Sequence, residues 1–203
     1  MTMRYTQCMS VPNERRYREI LEHAARLIFK HGYEATSMQE IAESCGLTKA
    51  GLYHHIKTKE ALLLAIMHYG MDLFEEMVVN KVVDIADPLT RLRECMARNI
   101  ELVTHDTSKE VTIILHEHQT LTGDAQREIN ARKKRYVEFL EKSFRDAIER
   151  GQVRPVDPTL AAFSFLGMVL WIYKWYRADG KLSPREVSDG MIDLFFEGLM
   201  PRS

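Results

Sequence analysis

The stretch TSMQEIAESCGLTKAGLYHHIKTKEALL, residues 36–63, contains the signals that start and stop several short helices. Ser37 followed by Glu40 forms a capping box, in which each side chain accepts a hydrogen bond from the other residue's backbone N–H at a helix start. Gly46 can end that helix, and Thr48 can cap the next one. Two short helices joined by so tight a turn indicate a helix-turn-helix arrangement.

The segments on either side of this stretch also carry helical patterns. In residues 14–31, apolar side chains recur at three- and four-residue spacing, at Ile20, Leu21, Ala24, Leu27 and Ile28. Further helices begin at Pro88, Pro158 and Pro184, each preceded by a capping Asp or Ser. The second of these is predicted to continue to about Tyr176. No segment alternates convincingly with a period of two, which argues against strands.

These signals predict an all-α fold of about nine helices. The chain has 203 residues, enough for one ordinary domain or two small ones. Residues 10–57 are predicted to form a three-helix N-terminal domain, and residues 58–203 a helical C-terminal domain. An effector bound between the helices of the second domain is expected to shift the fourth helix and, with it, the first domain.

The composition predicts a soluble cytoplasmic protein without membrane contact. Its three cysteines, Cys8, Cys45 and Cys95, lie far apart and form no CxxC pair, so neither a disulfide framework nor a zinc knuckle is indicated. The apolar run from Leu160 to Tyr173 is shorter than the roughly 20 residues that span a bilayer. The net charge is −1, yet residues 1–60 hold nine Lys or Arg against seven Asp or Glu, a weak sign of nucleic-acid binding there.

The third short helix has the chemistry of a DNA-reading helix. Thr48 and Lys49 lie at its N-terminal end, where hydroxyl, ammonium and free backbone N–H groups can meet phosphate. The small Ala50 permits close approach to the major groove. Tyr53 is spaced so that its hydroxyl can reach a phosphate, and Lys59 can contact the backbone on the opposite side.

The same stretch resembles the DNA-binding signature of the TetR family of bacterial transcriptional regulators. The match runs from Thr36 to Leu62 and includes Gly46-Leu47-Thr48 and Leu52-Tyr53-His54. The resemblance implies DNA contacts by Thr36, Ser37, Thr48, Lys49, Ala50, Tyr53, His54 and Lys59. It also implies a homodimeric, ligand-responsive repressor of a palindromic operator, not an enzyme. The chain departs from the family at Ala50-Gly51, since the family usually has Gly and then a small hydroxyl residue. Position 51 therefore offers no side chain to a base.

The two histidine-containing motifs do not favour a metal site. His54 and His55 point in different directions on a helix, so they cannot chelate one metal from one face. We expect a DNA contact from His54 and packing from His55. In the segment His116–His118, we expect His118 to lie in the helical core or to line a ligand cavity. The enzyme alternative, an all-α metal hydrolase using this segment, lacks ligands at three- or four-residue spacing, and no metal or cofactor is expected.

The basic run RKKR at 132–135 is predicted to be a solvated helix face, with a phosphate site for a ligand as the less favoured interpretation. The helix at 158–176 is apolar nearly all round, so one face is expected to be buried by a second copy of the chain. The predicted dimer interface consists of Ser164, Gly167, Met168, Met191, Leu194 and Phe195.

The stretch WIYKWYRADGKLSPREV, residues 171–187, resembles a subset of the family that regulates fatty-acid, steroid or other acyl-CoA catabolism. That resemblance implies a CoA thioester as effector, with Trp171 lining the acyl pocket and Lys174 or Arg177 available to a phosphate. The predicted ligand-binding residues are Met71, Phe74, His118, Trp171, Lys174, Trp175 and Arg177. Three alternatives remain open at this point: an aromatic dimer seam at 171–176, a non-CoA effector such as a drug or aromatic compound, and a DNA-architectural protein without effector.

Overall fold

The computed structural model describes residues 11–104, 113–114 and 120–199. Its helices are α1 (Val11–His31), α2 (Met38–Ser44), α3 (Lys49–His55), α4 (Lys59–Phe74), α5 (Pro88–Thr104), α6 (Gly123–Glu149), α7 (Pro158–Leu170), α8 (Ile172–Trp175) and α9 (Pro184–Glu197). The described ranges contain no β-strand, and the all-α prediction is confirmed.

The helix starts lie where the sequence predicted them. The Ser37 hydroxyl accepts a hydrogen bond from the Glu40 backbone N–H, and the Glu40 carboxylate accepts one from Ser37, so the capping box is confirmed. The Thr48 and Thr58 hydroxyls cap α3 and α4 by accepting hydrogen bonds from the backbone N–H groups of Gly51 and Ala61. Gly46 has φ +65°, a left-handed conformation that lets the chain turn sharply between α2 and α3.

Helix α5 lies at the centre of the C-terminal region, where it contacts α6, α7, α8 and α9. Four phenylalanines meet edge to face beside it, with ring centroids 5.1–6.4 Å apart: Phe144, Phe165, Phe195 and Phe196. Such contacts add to the free energy of apolar burial. Phe195 therefore belongs to the core of the protomer, and its predicted place in a dimer interface is wrong.

Helix α4 joins the two predicted domains. Its buried side chains, which include Leu63, Met67 and Phe74, lie in one continuous apolar core with residues from both sides. It packs on α1 and on α6. After Phe74 the helix continues through a π-helical segment, Glu75–Val79, and ends in one α-helical turn, Asn80–Val82. A π-helical segment often marks functional positions.

The predicted helix 158–176 is interrupted. Helix α7 ends at Leu170, and the chain turns at Trp171 before the short helix α8. Residues 171–176 are aromatic or β-branched except for Lys174, and such side chains lose rotamer freedom in a helix. The turn buries Ile172 while it leaves Trp171 exposed. Among the described helices, none is both long and apolar enough to cross a membrane.

Candidate DNA interface and effector region

One side of α3 is open to solvent and carries the side chains predicted to contact DNA. Leu52 and the following Ile56 are buried and fix the helix against the rest of the N-terminal bundle. The opposite side exposes Thr48, Lys49, Ala50, Tyr53 and His54. A short helix with this arrangement can enter a major groove without disturbing its own packing.

Gly51 lies against the cap of its own helix. Its backbone N–H donates to the Thr48 hydroxyl at 3.0 Å, and a Cβ built at this position would lie 3.3 Å from that oxygen. Because glycine has no Cβ, the Thr48 hydroxyl can cap the helix without a close contact at position 51. Position 51 also offers no side chain for a base contact.

Lys59 lies at the start of α4, near the loop that precedes α2. Its ammonium is 4.2 Å from the centroid of the Tyr33 ring and donates to the Glu34 carbonyl at 3.3 Å. The ring and the carbonyl hold the ammonium near the loop that leads into α2.

The predicted phosphate contact by the Thr36 hydroxyl needs correction. Thr36 is only 3% exposed, and its hydroxyl donates to the Gly32 carbonyl at 2.8 Å. This hydrogen bond closes the turn between α1 and α2. Since the oxygen faces the interior, the residue stabilises the loop and does not present its side chain to DNA.

The two adjacent histidines have different environments. His54 is exposed, whereas His55 is half-buried and packs edge to face against His54. Burial, followed by the nearby His54 and Arg16 charges, lowers the pKa of His55. A neutral, partly buried ring agrees with a packing role for His55 and leaves His54 as the histidine available to DNA.

Arg16 is a positioning residue that the sequence did not reveal. Its guanidinium donates to the Cys45 carbonyl at the end of α2 and also contacts Glu19 on its own helix. A cation at a helix C-terminus is favourable because the last carbonyls carry partial negative charge. Arg16 thus fixes the turn between α2 and α3 relative to α1, over a separation of 29 residues that no local pattern signals.

The C-terminal half of α4 is held to α6 by Arg132. This side chain is only 11% exposed, and its guanidinium contacts Asp72 at 2.7 Å and Glu75 at 3.0 Å. It also donates to the His68 carbonyl at 3.4 Å. These contacts form a clamp, defined as Arg132 with Asp72 and Glu75, at the junction of α4 with the π-helical segment.

The same turn of α4 is connected to the DNA-binding head, which consists of α1–α3. The Tyr69 hydroxyl donates to the Glu22 carboxylate of α1 at 3.2 Å. Tyr69 precedes Asp72 by less than one helical turn. A displacement of α6 can therefore reach α1 through one turn of α4.

A buried polar cluster, formed by Cys95, Asn99 and Tyr136, lies between α5 and α6. The Asn99 amide donates to the Tyr136 hydroxyl at 2.7 Å, and that hydroxyl is 3.2 Å from the Cys95 sulfur. The Tyr136 ring packs edge to face on Phe74, with centroids 4.6 Å apart. Burial raises the pKa of Tyr136 and raises that of Cys95 to about 12. Both groups stay neutral, and the cluster lies next to the buried Phe74. The buried Met71 precedes Phe74 by less than one turn of α4.

The other predicted ligand residues are not brought to this cluster. Trp171 is 62% exposed, and Trp175 is also exposed, so the prediction that Trp171 lines an acyl pocket is wrong for the isolated protomer. Arg177 pairs with Asp179, and Lys174 lies over the Tyr173 ring. His118 lies outside the described residues. Within the described ranges, no three His, Cys, Asp or Glu side chains are grouped to hold a metal.

Part of the basic run 132–135 is buried, contrary to the prediction of a solvated face. Arg132 is enclosed by the clamp, and Lys133 is half-buried. Lys134 and Arg135 are exposed as expected. The helical period separates the four residues because consecutive positions point in different directions.

An exposed apolar face covers α7 and continues onto α8 and α9. Its large exposed side chains recur at helical spacing along α7 and α8 and are Leu160, Phe163, Trp171 and Trp175. The small, exposed Ser164 and Gly167 lie between them. On α9, Leu194 is 75% exposed, and Met168 and Met191 are half-buried. Contiguous apolar surface of this kind marks interaction sites.

Comparison with protein families identifies the chain. Residues 20–66 match the family described as bacterial regulatory proteins, tetR family, and residues 86–199 match the tetracyclin repressor-like C-terminal domain. The chain belongs to the TetR family. It is a TetR-type, DNA-binding transcriptional repressor and not an enzyme.

Solved and curated TetR relatives cover nearly the whole chain. AibR, in a crystal structure with isovaleryl coenzyme A and operator DNA, is 64% identical, with a TM-score of 0.86 over 88% of this chain and 97% of that one. The regulator PfmR from Thermus thermophilus is 33% identical, with a TM-score of 0.81 over 90% and 99%. The transcriptional repressor KstR2 of Mycobacterium tuberculosis is 27% identical over 89% and 91% of the two chains. TetR regulators are homodimers.

Proposed function

We propose that this TetR regulator binds a palindromic operator through α3 of two protomers and is released from it by an acyl-CoA. The observation that carries the proposal is the 64% identity to AibR, whose crystal structure contains isovaleryl coenzyme A and operator DNA. A short branched acyl-CoA is therefore the effector class we assign. Because it binds operator DNA, we place the protein in the cytoplasm.

The proposed DNA contacts are those that the geometry leaves accessible. Thr48, Lys49, Tyr53 and Lys59 supply hydroxyl or ammonium groups for phosphate, and contacts of this type position a protein without reading sequence. The remaining proposed contacts, at the ends of α2 and α3, are Ser37, Ala50 and His54. Domain limits of 10–57 and 58–203 agree with the start of α4 at Lys59.

The exposed apolar face supports a two-fold dimer. In such an interface the same surface of both protomers is buried, which suits the small Ser164 and Gly167 between large apolar side chains. We assign Leu194, Met168 and Met191 to this interface. The exposure of Trp171 and Trp175 favours the aromatic dimer seam, so these two residues join it.

We place the apolar end of the effector near Met71 and Phe74, between α4 and α6. The neighbouring cluster of Cys95, Asn99 and Tyr136 supplies polar atoms in an apolar surrounding, as ligand sites commonly do. Lys174 and Arg177 remain candidate contacts for the solvated part of the ligand. The Arg132 clamp adjoins this region, so an effector that moves α6 would move α4 and change the separation of the two α3 helices.

The proposal is tested by effector-dependent DNA release. A labelled duplex selected from a random pool by the protein itself would be followed by fluorescence anisotropy. Isovaleryl-CoA should release the duplex, whereas free CoA lacks the acyl group and isovalerate lacks the phosphates, so both should act poorly. Persistence of the complex with acyl-CoAs of several chain types, together with release by an aromatic or drug-like compound, would assign a non-CoA effector instead.

The DNA assignment has a separate test. Tyr53→Phe and Lys59→Met should weaken binding to the selected duplex and to random DNA alike, because phosphate contacts are blind to sequence. Glu60→Gln, at an exposed neighbouring position, serves as a control. A change of base preference with unchanged overall affinity would contradict the assigned phosphate contacts.

A further inference from the structure

Lys133 occupies a position that the pattern of α6 reserves for apolar side chains. The inward face of this helix recurs at three- and four-residue spacing and consists of Ile129, Lys133, Tyr136, Leu140, Phe144 and Ala147. Every other member is apolar or, in Tyr136, carries its polar atom into the buried cluster. A lysine in this row is an exception that propensity and amphipathicity do not explain.

The Lys133 ammonium has no carboxylate partner among the described residues. It donates one hydrogen bond, to the Ile114 carbonyl at 2.8 Å. Four of the six other basic residues of the same helix each face a carboxylate, and the remaining two, Arg135 and Arg145, are exposed to water; the four are Arg127, Arg132, Lys134 and Lys142. The inward position therefore separates the one half-buried lysine of this helix from the acidic residues that neutralise its neighbours.

A half-buried cation whose one partner among the described residues is a neutral carbonyl lowers the stability of the fold. Removal of an ammonium group from water is costly unless opposite charge or several acceptors replace the solvent. Burial accordingly lowers the pKa of Lys133 to about 8. An unbranched apolar residue such as Met would fill the same space without that cost. Functional sites commonly retain residues that the fold alone would not favour.

We propose that Lys133 binds a phosphate oxygen of the acyl-CoA effector, which supplies a counter-charge that no described residue supplies at this position. The inference rests on the proposed function. A lysine binds phosphate as a compact point charge with freely rotating donors. Lys133 lies one turn from Tyr136, which packs on Phe74, so one helix would contact both the polar and the apolar part of the ligand.

Arg132, the preceding residue, connects this contact to the DNA-binding head. Lys133 faces the interior, while Arg132 holds Asp72 of α4 and Glu75 at the start of the π-helical segment. A phosphate bound to Lys133 would therefore shift the same turn of α6 that carries Arg132. Because Arg132 is paired with α4, such a shift would also displace α4.

The inference is tested by isothermal titration calorimetry, which measures the affinity of the full-length dimer for isovaleryl-CoA. Lys133→Met removes both the charge and the donor, and Lys133→Gln keeps an N–H donor for the Ile114 carbonyl without the charge. Both variants should lose roughly tenfold or more in affinity, as expected for a lost charge-assisted hydrogen bond. Lys134→Met, at the exposed neighbour paired with Glu138, is the matched control and should bind like the unmodified protein.

Two further measurements separate binding from folding and phosphate from thioester. The urea midpoints of both Lys133 variants should be unchanged or raised, because an unneutralised buried charge is removed. Isovaleryl-pantetheine, which has no phosphate, should bind the Lys133→Met variant and the unmodified protein equally.

Equal affinity of all variants for isovaleryl-CoA would overturn the inference and leave the proposed function intact. Variants that fail to fold would show a structural lysine, and equal losses for the pantetheine thioester would move the contact from phosphate to the acyl end. Failure of the unmodified protein to bind any acyl-CoA would remove the proposed function and, with it, this inference.

Discussion

The DNA-binding head, α1–α3, and the effector region, α4–α9, are each stabilised by polar contacts, but these contacts differ in sequence separation. In α1–α3 the hydrogen bonds that set the helix starts join residues three positions apart, as in Ser37 to Glu40 and Thr48 to Gly51. In the effector region the main polar contacts join distant residues, as in Arg132 to Asp72 and Arg91 to Asp146. The helix starts of the head are therefore specified locally, and Arg16 adds one long-range contact that fixes the turn between α2 and α3. The effector region depends more on ion pairs between distant residues.

The largest expected effect on stability comes from removing the Arg91 contacts of the effector region. The Arg91 guanidinium donates to Asp146, to the Ser143 hydroxyl and to the Ile85 carbonyl, and its side chain is only 13% exposed. Arg91→Met should lower the free energy of unfolding by about 3 kcal/mol, since it leaves several half-buried acceptors unpaired. Urea denaturation measures the loss.

Lys142→Met provides the matched control, because Lys142 contacts the same Asp146 carboxylate from solvent. An exposed pair of this kind contributes at most about 1 kcal/mol. If both substitutions lowered the free energy of unfolding equally, the long-range contact of Arg91 would contribute no more to stability than the exposed contact of Lys142.

A smaller effect on stability, but a specific effect on regulation, is expected from the clamp. Arg132→Met should reduce effector-induced DNA release by roughly fivefold or more, while isovaleryl-CoA still binds, because a coupling free energy of about 1–3 kcal/mol is typical of such connections. Titration of DNA with and without effector measures the coupling. Arg135→Met, at an exposed position on the same helix, should leave it unchanged, and an unaltered response in Arg132→Met would rule out the clamp.

The same local device occurs in both regions, which allows a direct comparison. Ser183 and Glu186 form a capping box on α9 like that of Ser37 and Glu40 on α2. Ser37→Ala and Ser183→Ala should each cost about 1 kcal/mol of stability. Only the first should also weaken DNA binding. Equal losses of DNA affinity would show that Ser37 acts through stability alone.

The smallest effect is a pH dependence at the start of α5. Hydrogen bonds from Thr90 and then Gln152 lower the pKa of Asp87 from 3.8 to about 2. Because the folded carboxyl binds its proton less readily than the unfolded one, its contribution is present above pH 3.8 and is lost as the pH falls towards 2. Asp87→Asn keeps a capping side chain and should flatten the acid dependence of the urea midpoint over that interval. An unchanged dependence would exclude Asp87 as its source.

The amino-acid sequence by itself determined the capped helix starts and the family of this protein. Caps such as Ser37, Thr48 and Ser183 act on backbone groups within one turn, so their meaning does not depend on what packs around them. The exposed surface of α3 follows from the same local logic, because Leu52 and Ile56 define the buried side. The fixed spacing of these residues also allowed the resemblance to the TetR family.

Tertiary structure alone decided which helices meet and therefore which polar residues are enclosed. The run RKKR shows this most clearly, since only packing against α4 and the interior separates Arg132 and Lys133 from the exposed Lys134. Likewise, Phe195 faces the protomer core while Leu194 faces solvent. The physical reason is that the free energy of a charge or an apolar side chain depends on its surroundings, and distant parts of the chain supply those surroundings.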